Sequence, residues 1–241
     1  HAPIEYAYNT GLITATQNIA GGIAGISYKD ISYSFNSGDI ISEDSVAGGI
    51  TGVLNHSTIK GTYNGGTVTA KSSQAAGIAA NVENGIIKDS YHFGKVYSQH
   101  DLGIIIGNQI DDNQKVLQQV YYDQDAHINS DITQYKIPTQ MIGNKEYHSN
   151  ATALYHGQMI GMHALGTTKN NMNLSEKTNY LQKESEEQYS YYPQIKFFGT
   201  HINTVVLNDS IESVKTKTFI VGTGNESNPY IIRNESDWLA L

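Results

Sequence analysis

Nine histidines are the first residues of this chain that invite a chemical interpretation, because imidazole is a common metal ligand. Three of them, His148, His156 and His163, follow one another at spacings of 8 and 7 residues. Neither spacing suits a pair of ligands on one helical turn, and no HExxH motif is present. The histidines therefore favour scattered structural or surface roles, and we expect no metal site and no cofactor.

A second candidate is the segment DQDAHINSD at residues 123–131, whose oxygen-bearing side chains occupy positions 1, 3, 7 and 9 of a calcium-type loop. Such a loop also needs Gly at position 6 and Glu at position 12, where this chain has Ile128 and Gln134. The segment therefore favours a solvated turn over a calcium site.

Carboxylates and aromatic rings offer two further possibilities. A polysaccharide-cleaving β-helix would need paired acids, and the acids available are Glu43, Asp44, Glu83, Asp89, Asp111 and Asp112. No column of the repeat carries acids in successive units, so an enzyme gains little support and we assign no catalytic residue. Aromatic residues recur at Tyr8, Phe35, Tyr63 and Tyr91. They suit a sugar-stacking platform, but Phe35 lacks the hydroxyl, and rings that pack on one another are favoured.

The elements that must position these residues repeat along the chain. Spacings of 27, 28 and 26 residues separate Gly22, Gly49, Gly77 and Gly103. The aromatic residues recur at spacings of 27, 28 and 28. Each unit is broken by Gly, Asn, Ser and Asp, and the short runs between are rich in Ile, Val, Thr and Tyr, which predicts several short strands per unit. Such units stack into a parallel β-solenoid.

Equivalent residues of successive units then form ladders along the stack. Three inward-facing apolar ladders are predicted, namely Ile4, Ile31, Ile59 and Ile87; Ile13, Ile40, Val68 and Val96; and Ile23, Ile50, Ile78 and Ile104. The glycines Gly11, Gly38, Gly66 and Gly94 mark a corner that needs positive φ or a close backbone approach. Asn9, Asn36 and Asn64 form an amide row that His92 is expected to break. Tyr6, Tyr33, Gly61 and Asp89 form a column without a predicted face.

The fold class expected is all-β, a parallel β-solenoid with a mixed, less regular carboxyl-terminal part. Residues 1–123 are expected to form the solenoid, although Leu102 and Ile106 take the places of small residues in the fourth unit. Residues 124–218 are expected to be an irregular α+β insertion or cap, with a short helix or two over 139–166 and a strand in YYPQIKFFG. Residues 219–241 read as the start of a next repeat block or a cap.

Composition limits the function classes further. The 241-residue chain has no cysteine, which excludes disulfides, thiolate metal sites and thiol nucleophiles. Its formal net charge of −8 without a basic cluster argues against nucleic-acid binding. No apolar run approaches the roughly 18 residues of a membrane span, and no signal peptide is visible. The chain begins inside a repeat, which suggests a piece of a longer protein.

The motifs GGIAG and GGITG, with YNTG, FNSG and YNGG one unit apart, resemble the GLUG repeats of large bacterial surface proteins. These include adhesins, filamentous-haemagglutinin-like proteins and the repeat regions of immunoglobulin A-cleaving metallopeptidases. The later segments VYYD, TQM, YYPQIKFF and GTGNESNPYII follow the order in which such repeat blocks end and begin.

This resemblance implies a right-handed parallel β-helix and an exported parent protein at the bacterial cell surface. It implies a non-catalytic module for adhesion or scaffolding, whose partners are host surface proteins or glycans and whose ligand-binding residues are unknown. One alternative is a substrate-engaging segment of a secreted metallopeptidase, and another is a carbohydrate-active β-helix enzyme.

Overall fold

A computed structural model describes residues 2–100, 102–127, 140–145, 151–160, 164–175, 180–181 and 192–198. The chain divides into two compact units, the first made of residues 1–153 with 174–176 and the second of 154–173 with 177–241. The first unit is a parallel β-solenoid of about five coils, which confirms the predicted all-β fold class.

Each coil consists of several short strands separated by corners. Coil 1 contains β1 to β5, at Ile4–Glu5, Tyr8–Asn9, Ile13–Ala15, Ala20–Gly21 and Ala24–Ser27. Coil 2 contains β6 to β10, at Ile31–Ser32, Phe35–Asn36, Ile40–Ser42, Ala47–Gly48 and Thr51–Asn55. Coil 3 contains β11 to β15, at Thr58–Lys60, Tyr63–Asn64, Val68–Ala70, Ala75–Ala76 and Ala79–Glu83. Coil 4 contains β16 to β19, at Ile86–His92, Val96–Ser98, Leu102–Gly103 and Ile106–Gln109.

Equivalent strands of successive coils pair in parallel and build long sheets along the stack. Three of these sheets have the strand orders β19-β15-β10-β5, β17-β13-β8-β3 and β18-β14-β9-β4. The remaining strands of coils 1 to 4 form one larger sheet, in which the long β16 pairs with both β11 and β12. The register confirms the two apolar ladders that begin at Ile4 and Ile13.

The register of the third apolar ladder was predicted wrongly in coil 4. Gly103 pairs with Ala76, so Ile104 takes the position of Gly77 and Ile105 continues the ladder of Ile78. The corner between β17 and β18 is one residue shorter than the corresponding corner between β13 and β14. The small residue expected to be lost at Ile106 is therefore retained at Gly107.

The apolar ladders form the solenoid core. Their fully buried members include Ile31, Ile40, Ile50, Ile59, Val68, Ile78, Ile87 and Ile105. Leu54 and Val82 belong to the same cluster as the ladder that contains Ile59. Burial of β-branched side chains against identical neighbours suits the pleated surface of a strand.

Coil 5 begins with β20 at Leu117–Asp123, which confirms the strand predicted in VLQQVYYD. Within the next described segment, 140–145, Ile142 forms a parallel bridge with Ile106. The strand β21 at Ala151–Leu154 then pairs with β20. The helices expected over 139–166 are therefore wrong for these segments, because Ile142 forms a parallel bridge and Ala151–Leu154 is a strand.

Short 3₁₀ helices and small strands complete the described residues. One 3₁₀ helix, Asp125–His127, follows β20. In the second unit, 3₁₀ helices occur at His156–Gln158 and Lys196–Phe198, and β22 at Tyr180–Leu181 pairs antiparallel with β23 at Gln194–Ile195. The strand expected in YYPQIKFFG is thus confirmed over two residues. Residues 219–241 lie outside the described residues.

Candidate functional site

The asparagines that follow the aromatic position form a row of hydrogen bonds through the solenoid interior. Asn9 Nδ2 donates to Asn36 Oδ1 at 2.8 Å, and Asn36 Nδ2 donates to Asn64 Oδ1 at 2.7 Å. The second hydrogen of each amide nitrogen goes to the carbonyl oxygen of the glycine two residues further on. Asn36 and Asn64 are fully buried, so these bonds replace water for groups that need a partner.

His92 continues this row, and the expectation that it breaks the row was wrong. Its Nδ1 atom lies 3.2 Å from Asn64 Nδ2 and 3.1 Å from the Asn64 carbonyl oxygen. The tautomer decides which bond forms: an unprotonated Nδ1 accepts from Asn64 Nδ2, as an amide oxygen does in the preceding coils, whereas a protonated Nδ1 donates to the Asn64 carbonyl oxygen. We call Asn9, Asn36, Asn64 and His92 the polar ladder. Its amide donors all point towards the next coil.

Glycines make room for the polar ladder. A Cβ added at Gly22 would lie 2.6 Å from Asn36 Cγ, and one added at Gly49 would lie 2.4 Å from Asn64 Cγ. The same atom at Gly77 would lie 2.3 Å from His92 Cδ2. These distances are too short for a real side chain, so the repeated glycine is required by the interior contact between neighbouring coils.

The aromatic residues form a second row, which we call the aromatic ladder. Ring centroids lie 5.5 Å apart for Tyr8 and Phe35, 4.9 Å for Phe35 and Tyr63, and 5.1 Å for Tyr63 and Tyr91. Phe35, Tyr63 and Tyr91 are buried. This burial confirms mutual packing and excludes a glycan platform at these three rings. Burial also raises the pKa of the Tyr63 hydroxyl above its ordinary value.

The column without a predicted face is a left-handed bend. Its members are Tyr6, Tyr33, Gly61 and Asp89, and the structure adds Gln119 of coil 5, all with φ between 48° and 63°. At Tyr33 and Asp89 the next residue is a buried serine whose hydroxyl bonds across the bend. Ser34 Oγ donates to the Ser32 carbonyl at 2.8 Å, and Ser90 Oγ donates to the Lys88 carbonyl at 2.8 Å. Sequence reasoning missed these hydroxyls because serine alone carries no positional signal.

The candidate acids are held in separate structural contacts. Lys71 pairs with Glu43 at 2.8 Å, and Lys145 pairs with Asp112 at 2.8 Å. Glu83 accepts a hydrogen bond from Asn55 Nδ2, the buried Asp89 accepts one from the Ser175 backbone N–H, and Asp44 is exposed. These are separate pairwise contacts, several of them between neighbouring coils, and they do not bring two of the candidate acids together as an acid and a base.

Asp111 has the densest set of donors. Partial burial alone raises the pKa of its carboxyl group, but hydrogen bonds from the Gln109 side chain and from the backbone N–H groups of Asn113 and Asn84 outweigh this effect. The pKa of Asp111 therefore lies below its ordinary value. The arrangement braces the corner between coils 4 and 5.

The histidine and calcium candidates are only partly described. His148 and His163 lie outside the described residues, and His156 is buried beside Tyr192, whose hydroxyl lies 2.5 Å from His156 Nδ1. In the segment 123–131, Asp123 Oδ1 accepts a hydrogen bond from the Asp125 N–H, and the part from residue 128 onward is outside the described residues. Among the residues that the structure describes, no group of three or more His, Asp or Glu side chains is placed to hold a metal ion.

Comparison of the chain with protein-family models, with curated proteins and with solved structures finds no match. In the part of the chain that the structure describes, no helix has the length and apolar character needed to cross a membrane.

Proposed function

We propose that this chain is a non-catalytic repeat module of an exported bacterial surface protein, acting as a scaffold for adhesion. The observation that carries the proposal is the polar ladder, which runs through four successive coils. Its buried amides are engaged in coil-to-coil hydrogen bonds, so the interior serves the integrity of a stack. The resemblance to GLUG repeats supports the same assignment.

The partner proposed is a host surface protein or a glycan that contacts the outer flank. Support comes from two large side chains at the end of coil 1, Tyr28 and Ile26, which are 64% and 46% exposed. Exposed aromatic and aliphatic groups at neighbouring positions favour contact with another molecule. Because outward side chains do not take part in the ladders, they can serve recognition without disturbing the stack.

The proposal is tested by coating beads with the purified chain and measuring their adherence to host epithelial cells and to a glycan array. We expect adherence that falls in the double variant Tyr28→Ser and Ile26→Ser. A matched control, Thr14→Ser, changes another exposed position and should keep adherence.

Two outcomes would contradict the proposal. Failure of the coated beads to bind either cells or glycans would contradict the adhesive role. Release of reducing ends from a polysaccharide panel by the purified chain would instead indicate a carbohydrate-active enzyme.

A further inference from the structure

Two Asn–Gly pairs occur in this chain, at Asn64–Gly65 and Asn84–Gly85. In such a pair the backbone nitrogen of the glycine can attack the side-chain carbonyl carbon of the asparagine, because glycine has no Cβ to hinder the approach. The new C–N bond closes a succinimide ring, and the C–N bond to the side-chain nitrogen breaks. The reaction depends on the glycine N–H and on the asparagine amide, and the surroundings of these groups differ between the two pairs.

The Asn64–Gly65 pair is held in an unreactive arrangement. The Gly65 N–H donates to the Asn36 carbonyl oxygen at 2.8 Å, so the attacking nitrogen is engaged between coils. Asn64 is fully buried in the polar ladder, where its Oδ1 accepts from Asn36 Nδ2 and Gly66 N. Its Nδ2 donates to the Gly66 carbonyl oxygen. Ring closure at this pair therefore requires the core to open, which costs free energy.

The Asn84–Gly85 pair has few such restraints. Both residues lie in the corner between β15 and β16, and Asn84 is exposed. Gly85 is buried, but no described residue accepts a hydrogen bond from its N–H, so this nitrogen lacks the bond that engages Gly65. Asn84 Nδ2 lies 3.3 Å from His56 Nε2, and within the described part of the chain the amide has no other hydrogen-bonding contact. One long hydrogen bond at the surface restrains the amide weakly, so it can turn towards the Gly85 nitrogen.

We infer that Asn84 is a site of spontaneous deamidation in the folded protein. Succinimide formation releases the Asn84 side-chain nitrogen as ammonia, which carries away the proton lost by the Gly85 nitrogen. Water then adds to one of the two ring carbonyl carbons. Aspartate results when the new bond between Cγ and the Gly85 nitrogen breaks, and isoaspartate results when the original peptide bond breaks. The inference does not depend on the proposed adhesive role.

The product changes the charge and the backbone of the corner. Asp111 Oδ2 accepts a hydrogen bond from the Asn84 N–H, and Glu83 precedes Asn84 in the chain. A carboxylate at residue 84 therefore lies near two others, and like charges repel. The isoaspartate form also adds a carbon atom to the main chain between β15 and β16. We expect the modified corner to open more readily, which faster exchange of the Ile86 N–H, bonded to the Ser57 carbonyl oxygen at 3.1 Å, would report.

The test incubates the purified chain at neutral pH and follows both pairs by peptide mapping with mass spectrometry, which detects replacement of the side-chain amide by a carboxyl group. We expect the Asn84 peptide to convert about tenfold faster or more than the Asn64 peptide, because Asn64 reacts only from opened molecules. The same incubation in concentrated urea removes the fold, and the two rates should then be similar.

Asn84→His is the matched variant, because His56 has φ of 49° at the equivalent position of coil 2, close to the 48° of Asn84. Histidine is therefore compatible with this left-handed bend. The variant should not accumulate the more acidic species that we expect from the parent chain on anion exchange. Enzymatic methylation of isoaspartate should label the corner peptide of the incubated parent and not that of the variant.

Three results would overturn the inference. Equal conversion of the two pairs in the folded chain would show that the fold does not distinguish them. Conversion of the Asn84 peptide in urea but not in the folded chain would show that the corner prevents the reaction. Accumulation of the acidic species at an unchanged rate in Asn84→His would place the modification elsewhere.

Discussion

Asn36→Ala removes one complete step of the polar ladder. The Asn36 side chain makes three hydrogen bonds: it donates to the Gly38 carbonyl at 2.7 Å and to Asn64 Oδ1 at 2.7 Å, and it accepts from Asn9 Nδ2 at 2.8 Å. The site is fully buried, so water does not replace the lost partners without entering the core.

The size of the effect follows from the partners that remain. Asn9 is half-exposed and keeps its bond to the Gly11 carbonyl, and Asn64 Oδ1 keeps its bond from Gly66 N. The Gly38 carbonyl and the second lone pair of Asn64 Oδ1 lose their donors, and an unsatisfied buried group costs about 1–3 kcal/mol. We therefore expect the free energy of unfolding to fall by about 3 kcal/mol.

Asn9→Ala is the matched control, because it removes the same type of side chain at the half-exposed end of the same ladder. Water can solvate the groups left behind, so the expected loss is about 1 kcal/mol. Urea unfolding followed by far-ultraviolet circular dichroism measures both losses. Equal losses in the two variants, or a loss for Asn36→Ala within the error of the measurement, would refute the reasoning.

Three further predictions concern a glycine, a phenol and a carboxylate. Gly66→Ala should destabilise the protein by about 3 kcal/mol, because the added Cβ would lie 2.0 Å from the Gly38 carbonyl oxygen. Gly11→Ala should be tolerated, because the nearest atom to its added Cβ is 3.8 Å away. The midpoints of urea unfolding of the two variants measure the difference. The raised pKa of Tyr63 favours the neutral phenol in the folded state, so its contribution to stability is complete below a pH of about 10 and is lost as the pH rises above that. The tyrosinate absorbance that Tyr63→Phe removes should appear only with unfolding, and its appearance before unfolding would contradict burial. The lowered pKa of Asp111 means that its ionised carboxylate stabilises the fold above a pH of about 4, and this contribution is lost as the pH falls through the folded-state pKa. The difference in unfolding free energy between the parent chain and Asp111→Asn should therefore shrink on acidification. A difference that stays constant with pH would contradict this prediction.

The periodic apolar residues were sufficient to predict the solenoid, because a ladder needs similar side chains at one spacing and Ile31, Ile59 and Ile87 supply them. The register of coil 4 was not predictable from glycine positions, because a corner shortened by one residue places Ile104 where glycine stands elsewhere. The prediction that His92 breaks the polar ladder was wrong because its ring Nδ1 lies within hydrogen-bonding distance of the Asn64 amide, although histidine has no amide group.

The parallel bridge between Ile142 and Ile106 was likewise not predictable from the sequence. Residues 124–141 separate Ile142 from β20, so the spacing of the repeat is not kept there. A short apolar run such as Met141 and Ile142 does not distinguish a strand from a helix. The candidate sites fared differently. The aromatic ladder was predicted as a packing feature, whereas the hydrogen bonds of Ser34 and Ser90 and the donors around Asp111 depend on which groups the fold brings together.

The left-handed bend has a consequence for how the repeat changes over evolutionary time. Five coils carry Tyr, Tyr, Gly, Asp and Gln at this one backbone position, so its side chain is not fixed by the fold. The conformation disfavours β-branched residues but leaves charge, size and aromaticity open. Mutation can therefore change this position coil by coil without a matching substitution in the apolar ladders, and duplicated units can diverge at the bend while they remain able to stack.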